Sequence, residues 1–402
     1  MRALLSTYGT RGDVEPLVAL AVRLRALGAE VRVCAPPDEE FATRLAGLGV
    51  ELVPVGPPVR ELMRGTELPS AADLSRYRDE LVDTEFDVFP GAADGCDVWV
   101  AAGLAQIAAR SVAQAAGVPY VYASYAAVQL PSPHHAPPPR PGWPEPETDD
   151  HRVRWERDAQ HVNAQFRRAL NRHRASLGLP PVDNVRDHVV TDRPWLAADP
   201  VLGPWRAAPG LDVTQTGTWT LPDERPLPAD LETFLDAGEP PVYVGFGSVR
   251  PAPDIARRAI EAARARGRRV LVARGWAELD LLDDRSDCFA VGEVNQQALF
   301  PRVAAVVHHG GAGTTATAAR AAVPQVVVAS PLSDTPYWAG RVADLGIGAA
   351  LDGTAVTAES LDAAVATALE PRTRERARDV AAQVRTDGAA VAARLLTDGV
   401  RK

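Results

Sequence analysis

The sequence predicts an α/β protein of two Rossmann-like, doubly wound domains, each built on a parallel sheet and facing the other across a cleft. Three observations carry this expectation. The 402 residues exceed one ordinary domain, at about 150 residues per domain. Short apolar runs alternate with amphipathic stretches through both halves, the pattern of parallel strands covered by helices on both faces. Between the halves, LPDERPLPADLETFLDAGEP (221–240) is rich in proline and charge and reads as a linker. The expected organisation is therefore a first domain over 1–220, a linker over 221–240, a second domain over 241–385, and a C-terminal helix over 386–402 that packs back on the first domain.

In the first half, strands are expected at Ala3–Ser6, Val31–Ala35 and Glu51–Val55, with helices at Val14–Leu27 and near Glu39–Leu48. CDVWVAAG (96–103), a helix ending at Ala116 and VPYVYAS (118–124) extend the series. QLPSPHHAPPPRPGWPEPE (129–147) breaks it: proline at this density suits neither a helix nor a central strand. It reads as a long, semi-rigid surface loop, and loops of that length are usually functional or disordered. A charged amphipathic helix over His151–Leu177 and a short WLAADP segment near Trp195 follow. The second half repeats the strand–helix order through PVYVGFGS (241–248), a helix from Asp254 to Arg266, RRVLVAR (268–274) and CFAVGE (288–293). AAVVHHGGAGTTATAARAA (304–322), PQVVVAS (324–330) and helices near Tyr337–Leu345 and Ala358–Leu369 complete it. In doubly wound sheets, ligands sit beyond the carboxyl ends of the strands.

Composition removes several function classes. A chain that is 46% hydrophobic and 24% charged belongs with globular proteins, and no apolar run approaches the ~18 residues of a membrane span. The opening MRALLSTYGTRGD lacks the apolar core of a secretory leader, so a cytoplasmic protein is expected. A formal charge of −9 argues against nucleic acid as a partner, because such affinity rests on clustered basic residues. The only lysine is Lys402, which removes phosphate-loop, Schiff-base and general-base lysines. Cys34, Cys96 and Cys288 form no CxxC pair and read as small buried apolar residues rather than as metal ligands. Oligomeric state is left open.

VVHHGGAGTTATAA, Val306 to Ala319, is the strongest local signal. An apolar strand ends in glycines that let the backbone approach a ligand, and Thr314 and Thr315 open a helix whose free N–H groups make a diphosphate seat. A histidine beside that seat can donate a hydrogen bond, or carry charge, as negative charge builds. A glycine turn with threonine caps is the plain alternative. YVGFGSV, Tyr243 to Val249, would bring further N–H groups and the Ser248 hydroxyl to the same edge. No Asp-x-Asp triplet occurs, so the commonest carboxylate arrangement for a divalent cation on a diphosphate is missing and no metal is expected. STYGTRGDVEPLVAL, Ser6 to Leu20, also has the strand–turn–helix order of a nucleotide site. It places an acid, Asp13, where a phosphate-binding loop has its last glycine. Asp13 is a candidate base or the cap of its helix.

These stretches, together with VGEVNQQALFPRVAAVVHHGGAGTT and AGRVADLGIG, resemble the glycopeptide-antibiotic glycosyltransferases. Those are metal-independent, inverting, two-domain enzymes of the GT-B fold. The resemblance spans nearly the whole chain and falls off in the proline-rich loop. It implies an N-terminal acceptor-binding domain, a C-terminal nucleotide-sugar-binding domain, and Asp13 as the general base. It implies that His309 contacts the donor phosphate and that Ser248, Gly311, Gly313 and Thr314 make other phosphate contacts. Val294 matches the backbone that pairs with a pyrimidine base, Trp276 lies near that base or its ribose, and Arg11 reaches toward the phosphates. On the acceptor side it implies Thr10 in the first turn, and Pro133, His134 and His135 in the wall formed by the proline-rich loop. Relatives that transfer glucose usually carry Asp-Gln where this chain has Asp334-Thr335. The shorter side chain lacks an amide that bridges sugar hydroxyls, so a donor lacking one, such as a deoxysugar on thymidine diphosphate, is expected, the co-substrate being dTDP- or UDP-linked.

The implied function is transfer of that sugar to a hydroxyl of a natural-product aglycone, a glycopeptide core first, with a polyketide, macrolide or sterol-type aglycone as alternative. No cofactor is expected beyond the nucleotide sugar as co-substrate. A non-catalytic nucleotide-sugar-binding partner protein would keep the C-terminal seat and lose the acid. A nucleotide-sugar 2-epimerase would need more acid–base groups than the motifs supply.

Overall fold

Ala3, Leu4 and Leu5 are fully buried, as expected of a parallel strand covered by helices on both faces rather than on one. They lie at the centre of the first of two sheets in a computed structural model that describes every residue except 65–70, 141–142, 144–146, 252–253, 280, 282, 284, 332 and 401–402. The first sheet joins β1 (Arg2–Thr7), β2 (Glu30–Ala35), β3 (Glu51–Pro54), β4 (Val98–Ala102), β5 (Tyr120–Ser124), β6 (Trp195–Leu196) and β7 (Thr214–Gln215). Its order is β3-β2-β1-β4-β5-β6-β7, parallel throughout, with Leu5 opposite Val33 on one side and Val100 on the other. The helices joining these strands are α1 (Arg11–Ala26), α2 (Glu39–Gly47), α3 (Val59–Arg64), α4 (Ala71–Ala93), α5 (Ala109–Ala116), α6 (His151–Ser176) and α7 (Val185–Val190).

The second sheet joins β8 (Val242–Val244), β9 (Val270–Ala273), β10 (Cys288–Val291), β11 (Ala305–His308), β12 (Gln325–Ala329) and β13 (Gly348–Asp352) in the order β10-β9-β8-β11-β12-β13. Val307 pairs with Val244 and His308 with Val327. Its helices are α8 (Ala229–Asp236), α9 (Ile255–Ala265), α10 (Gln296–Leu299), α11 (Ala312–Arg320), α12 (Thr335–Asp344), α13 (Ala358–Leu369) and α14 (Pro371–Ala381); α15 (Gly388–Val400) closes the chain. Strand order reverses between β1 and β4 in one sheet and between β8 and β11 in the other. Crevices at such switch points are where doubly wound sheets hold ligands, and the turns after β1 and β11 both emerge there.

The chain divides into two compact units. One holds Met1–Ala198, Pro204–Leu221 and Thr386–Lys402; the other holds Asp199–Gly203 and Pro222–Arg385. Helix α15 buries Ala389, Ala392, Ala393 and Leu396 and packs on α1 inside the first unit. The stretch 221–240, expected as a linker, contains α8, whose Leu231 and Leu235 are buried with Leu227, Tyr243, Leu271 and Phe300 in the core of the second unit. Leucines four residues apart on one helical face outweigh the flanking prolines. The strands near Ala3, Val31 and Glu51 begin or end within a residue or so of their expected bounds, but α1 starts at Arg11, not Val14. Likewise α11 starts at Ala312 rather than at the threonines. All three cysteines are free thiols, with Cys34 and Cys288 buried. Among the described residues no helix is long and apolar enough to cross a membrane.

Candidate functional site

In the first unit the turn after β1 is built around one acid. Thr10 is the N-cap of α1 and Asp13 its third residue, so Asp13 is not the cap that its position suggested. Its Oδ2 instead accepts from the Thr10 N–H at 2.9 Å, the acid's half of a capping box. The Tyr125 hydroxyl, from the segment after β5, donates to the Asp13 carbonyl at 2.9 Å. An anionic side chain already occupies the positive end of α1, so that end offers no seat for a phosphate. Arg11 opens the same helix, half-buried beside Thr10 and Asp13.

The proline-rich loop lies against α6. Trp155 Nε1–H donates to the His135 carbonyl at 2.9 Å, and the His135 ring meets Trp155 and Trp205 edge to face. Arg140 Nε donates to the buried Asp158 at 2.8 Å. His134 is exposed and donates from Nε2 to the Ala207 carbonyl at 3.0 Å; Pro133 is half-buried. Burial holds His135 below the usual histidine range, so its ring is neutral at pH 7. His135 thus fastens the loop, and His134 is the histidine of the pair whose side chain faces outward.

The second unit assembles its candidate site beyond five strand ends, those of β8 to β12. Helix α11 has Gly311 as N-cap and no side-chain cap, so the amides of Ala312, Gly313 and Thr314 are open donors at a positive helix end. This is the opposite electrostatic arrangement to the start of α1. The preceding turn is fixed from below. His308, fully buried, donates from Nε2 to Gln325 Oε1 at 3.0 Å, which leaves Nδ1 to accept the Gly310 N–H at 3.2 Å. Burial pushes the His308 pKa down to about 3, and this neutral tautomer is the one the two bonds require. Gly310 sits at φ 90° with Val327 and Thr335 packed against it, a conformation and a space that only glycine fills without strain.

His309 projects from that turn. A Cβ on Gly311 would stand 2.6 Å from His309 Nε2, and one on Gly247 would stand 3.3 Å from Cε1, so two glycines flank the ring. Its Nδ1 is buried with no hydrogen-bond partner, and desolvation lowers its pKa to about 4. The ring is therefore neutral near pH 7, without a standing charge. A buried, unsatisfied nitrogen costs about 1–3 kcal/mol, and such groups concentrate where a ligand completes them. Gly247 also joins the other loops: its carbonyl accepts the Trp276 N–H at 2.9 Å. Ser248 is next in sequence, half-buried like Trp276. Val294, beyond β10, packs its side chain on the core.

At the end of β12, the Asp334 carboxylate accepts from the Ser333 hydroxyl at 2.8 Å and from the Trp338 indole at 2.9 Å. Thr335 is buried, and its hydroxyl donates inward to the Ser330 carbonyl at 2.9 Å. Among the described residues, no group of three or more His, Cys, Asp or Glu is placed to hold a metal ion.

Residues 3–130 match the glycosyltransferase family 28 N-terminal domain, and residues 283–394 match the C-terminal domain typified by erythromycin biosynthesis protein CIII. Relatives from Amycolatopsis orientalis are similar end to end. The vancomycin aglycone glucosyltransferase is 54% identical over 100% of this chain and 98% of its own. The dTDP-epi-vancosaminyltransferase is 50% identical over 100% of this chain and 98% of its own. The crystal structure of the glycotransferase of kitacinnamycin shares the fold, with a TM-score of 0.74 at 21% identity over 99% of this chain and 98% of that one.

Proposed function

The chain belongs to the glycosyltransferases of the glycopeptide-antibiotic type, and from that premise we propose that it transfers a deoxysugar from a thymidine diphosphate donor to a hydroxyl of a natural-product aglycone, a glycopeptide core. The uncapped start of α11 beside a neutral, incompletely satisfied His309 carries this reading. The second unit would hold the donor: amides of Ala312, Gly313 and Thr314 with Ser248 on the phosphates, the Val294 backbone and Trp276 on the base and ribose. The first unit would hold the acceptor against Thr10, Asp13 and the loop bearing Pro133, His134 and His135.

In the reaction, the acceptor oxygen attacks the anomeric carbon from the face opposite the diphosphate. The bond from that carbon to the phosphate oxygen breaks, its electron pair leaves with the diphosphate, and the acceptor proton passes to Asp13. The anomeric centre inverts. His309 and the α11 amides meet the charge that grows on the leaving group, where preorganised donors act most strongly, and Arg11 would supply further positive charge. No metal is needed in this scheme, and the enzyme acts in the cytoplasm. Incubation of dialysed protein with nucleotide sugars and a panel of aglycones, read by mass, tests the reading. A rate unchanged by excess EDTA is expected, and nucleotide-sugar binding without product from any aglycone would replace an enzyme with a binding protein.

Thr335 bears on the sugar. Asp334 has lone pairs left for one sugar hydroxyl, whereas Thr335 directs its hydroxyl away to Ser330. A fully hydroxylated sugar would bury a hydroxyl without a partner, at about 1–3 kcal/mol. Both glucose and epi-vancosamine occur in the names of close relatives, so the residue is asked to decide between them. Thr335→Gln is expected to shift the kcat/KM ratio toward thymidine-linked glucose by roughly tenfold, about 1.4 kcal/mol of contact, with thermal unfolding as the check that the variant is folded. Wild-type protein that prefers glucose over a deoxysugar in direct competition defeats the assignment.

A further inference from the structure

Gly9 lies directly beneath Asp13. A Cβ built on Gly9 would stand 2.2 Å from Asp13 Oδ2, 2.5 Å from Cγ and 3.0 Å from Cβ, and these are the three nearest atoms. The backbone at Gly9 is not left-handed, so chain conformation gives no reason for glycine there. What a side chain would meet is the carboxylate itself.

We propose that Gly9 is a positioning residue for Asp13: its missing side chain is what allows the carboxylate to fold back over the turn and take the Thr10 N–H bond. The inference rests on the reading of Asp13 as base. The Asp13 backbone is held by α1 and by the Tyr125 hydroxyl on its carbonyl, so its Cβ cannot retreat. An alanine at position 9 would therefore drive Cγ and Oδ2 to rotate about χ1. Moving the end of one side chain disturbs packing little. The carboxylate, however, leaves its seat and loses the amide bond that favours its ionised form. Misplacing a reacting group by about 1 Å costs on the order of 10²-fold in rate.

Gly9→Ala, Asp13→Asn and the double variant, assayed with donor and acceptor at saturation, test the proposal. Gly9→Ala is expected to lower kcat by about 10²-fold, with donor KM, nucleoside diphosphate affinity and melting temperature close to wild type. The acid limb of its kcat profile should move to higher pH, because a carboxylate without its amide donor is a weaker acid. The double variant should be no slower than Asp13→Asn, since Gly9 acts only through that carboxylate. Gly9→Ala within threefold of wild type, or a double variant slower than Asp13→Asn by the full Gly9→Ala factor, overturns the positioning role while leaving Asp13 as base. If Asp13→Asn itself stays within tenfold of wild type, both readings fall together.

Discussion

Asp13→Asn is expected to bind nucleotide and acceptor like the wild type and to turn over ~10²–10⁴-fold more slowly, the usual range for loss of a general base. The substitution isolates basicity from shape. An asparagine oxygen can still accept the Thr10 N–H that Asp13 Oδ2 now accepts at 2.9 Å, so the first turn of α1 keeps its bond. What goes with the charge is its favourable placement at a positive helix end, about 0.3–1 kcal/mol. That is too little to unfold a domain and far too little to explain a hundredfold loss of rate. Measured kcat at saturating substrates, with nucleoside diphosphate affinity and melting temperature as controls, checks the expectation. A loss below tenfold removes Asp13 as the base.

His309→Ala is expected to damage turnover and diphosphate binding together, with kcat down by ~10²–10³-fold, as when one preorganised donor is taken from a developing oxyanion. The pH dependence gives a second signature. The His309 pKa is about 4, and a diphosphate against the ring would favour the protonated form and raise it. Affinity for the nucleoside diphosphate should then rise as pH falls through the bound-state pKa and level off below about 4. The alanine variant keeps only the titration of the diphosphate itself, and the difference between the two curves belongs to His309. Calorimetric titration at a series of pH values measures it. Identical curves and rates would make His309 a structural residue.

The two functional turns were legible because each lies at a change of period. A continuous apolar strand run ends, glycines or a Thr-Arg-Gly-Asp turn intervenes, and helical spacing begins. The helix over 229–236 carried a readable signal in Leu227, Leu231 and Leu235, one face at intervals of four, obscured by Pro226 and Pro228. Helix α4 was likewise available in the buried spacing of Leu81, Val82, Phe86 and Phe89 but lies in a stretch without strong punctuation. Edge strand β13, GAALD, has too little apolar content to stand out. Other features depend on contacts that no local pattern contains. The packing of His135 against Trp155 and Trp205 and the placement of Gly247 beside His309 join residues distant in sequence, and the inward turn of Thr335 onto Ser330 follows the path of the chain after β12. Tyr125, which fixes the backbone of Asp13 from 112 residues away, belongs with them.

The last helix of the chain bears on how such an enzyme could be recombined with a relative. Because α15 packs on α1, the first unit is made of three pieces of chain, and its final piece follows the whole of the second unit. Gly217 and Gly388 meet backbone to backbone: a Cβ on Gly388 would stand 2.4 Å from the Gly217 carbonyl carbon and 2.5 Å from the Thr218 carbonyl oxygen. A hybrid joined at one crossover near residue 221 would inherit α1 and Gly217 from one parent and α15 and Gly388 from the other. Every exchange of the second unit cut that way carries a mismatched seam through the first. A second crossover near Thr386 restores both strips of that seam to a single parent, and the exchanged segment then meets its old parent only at Asp199–Gly203, the short piece of the second unit that precedes the first crossover.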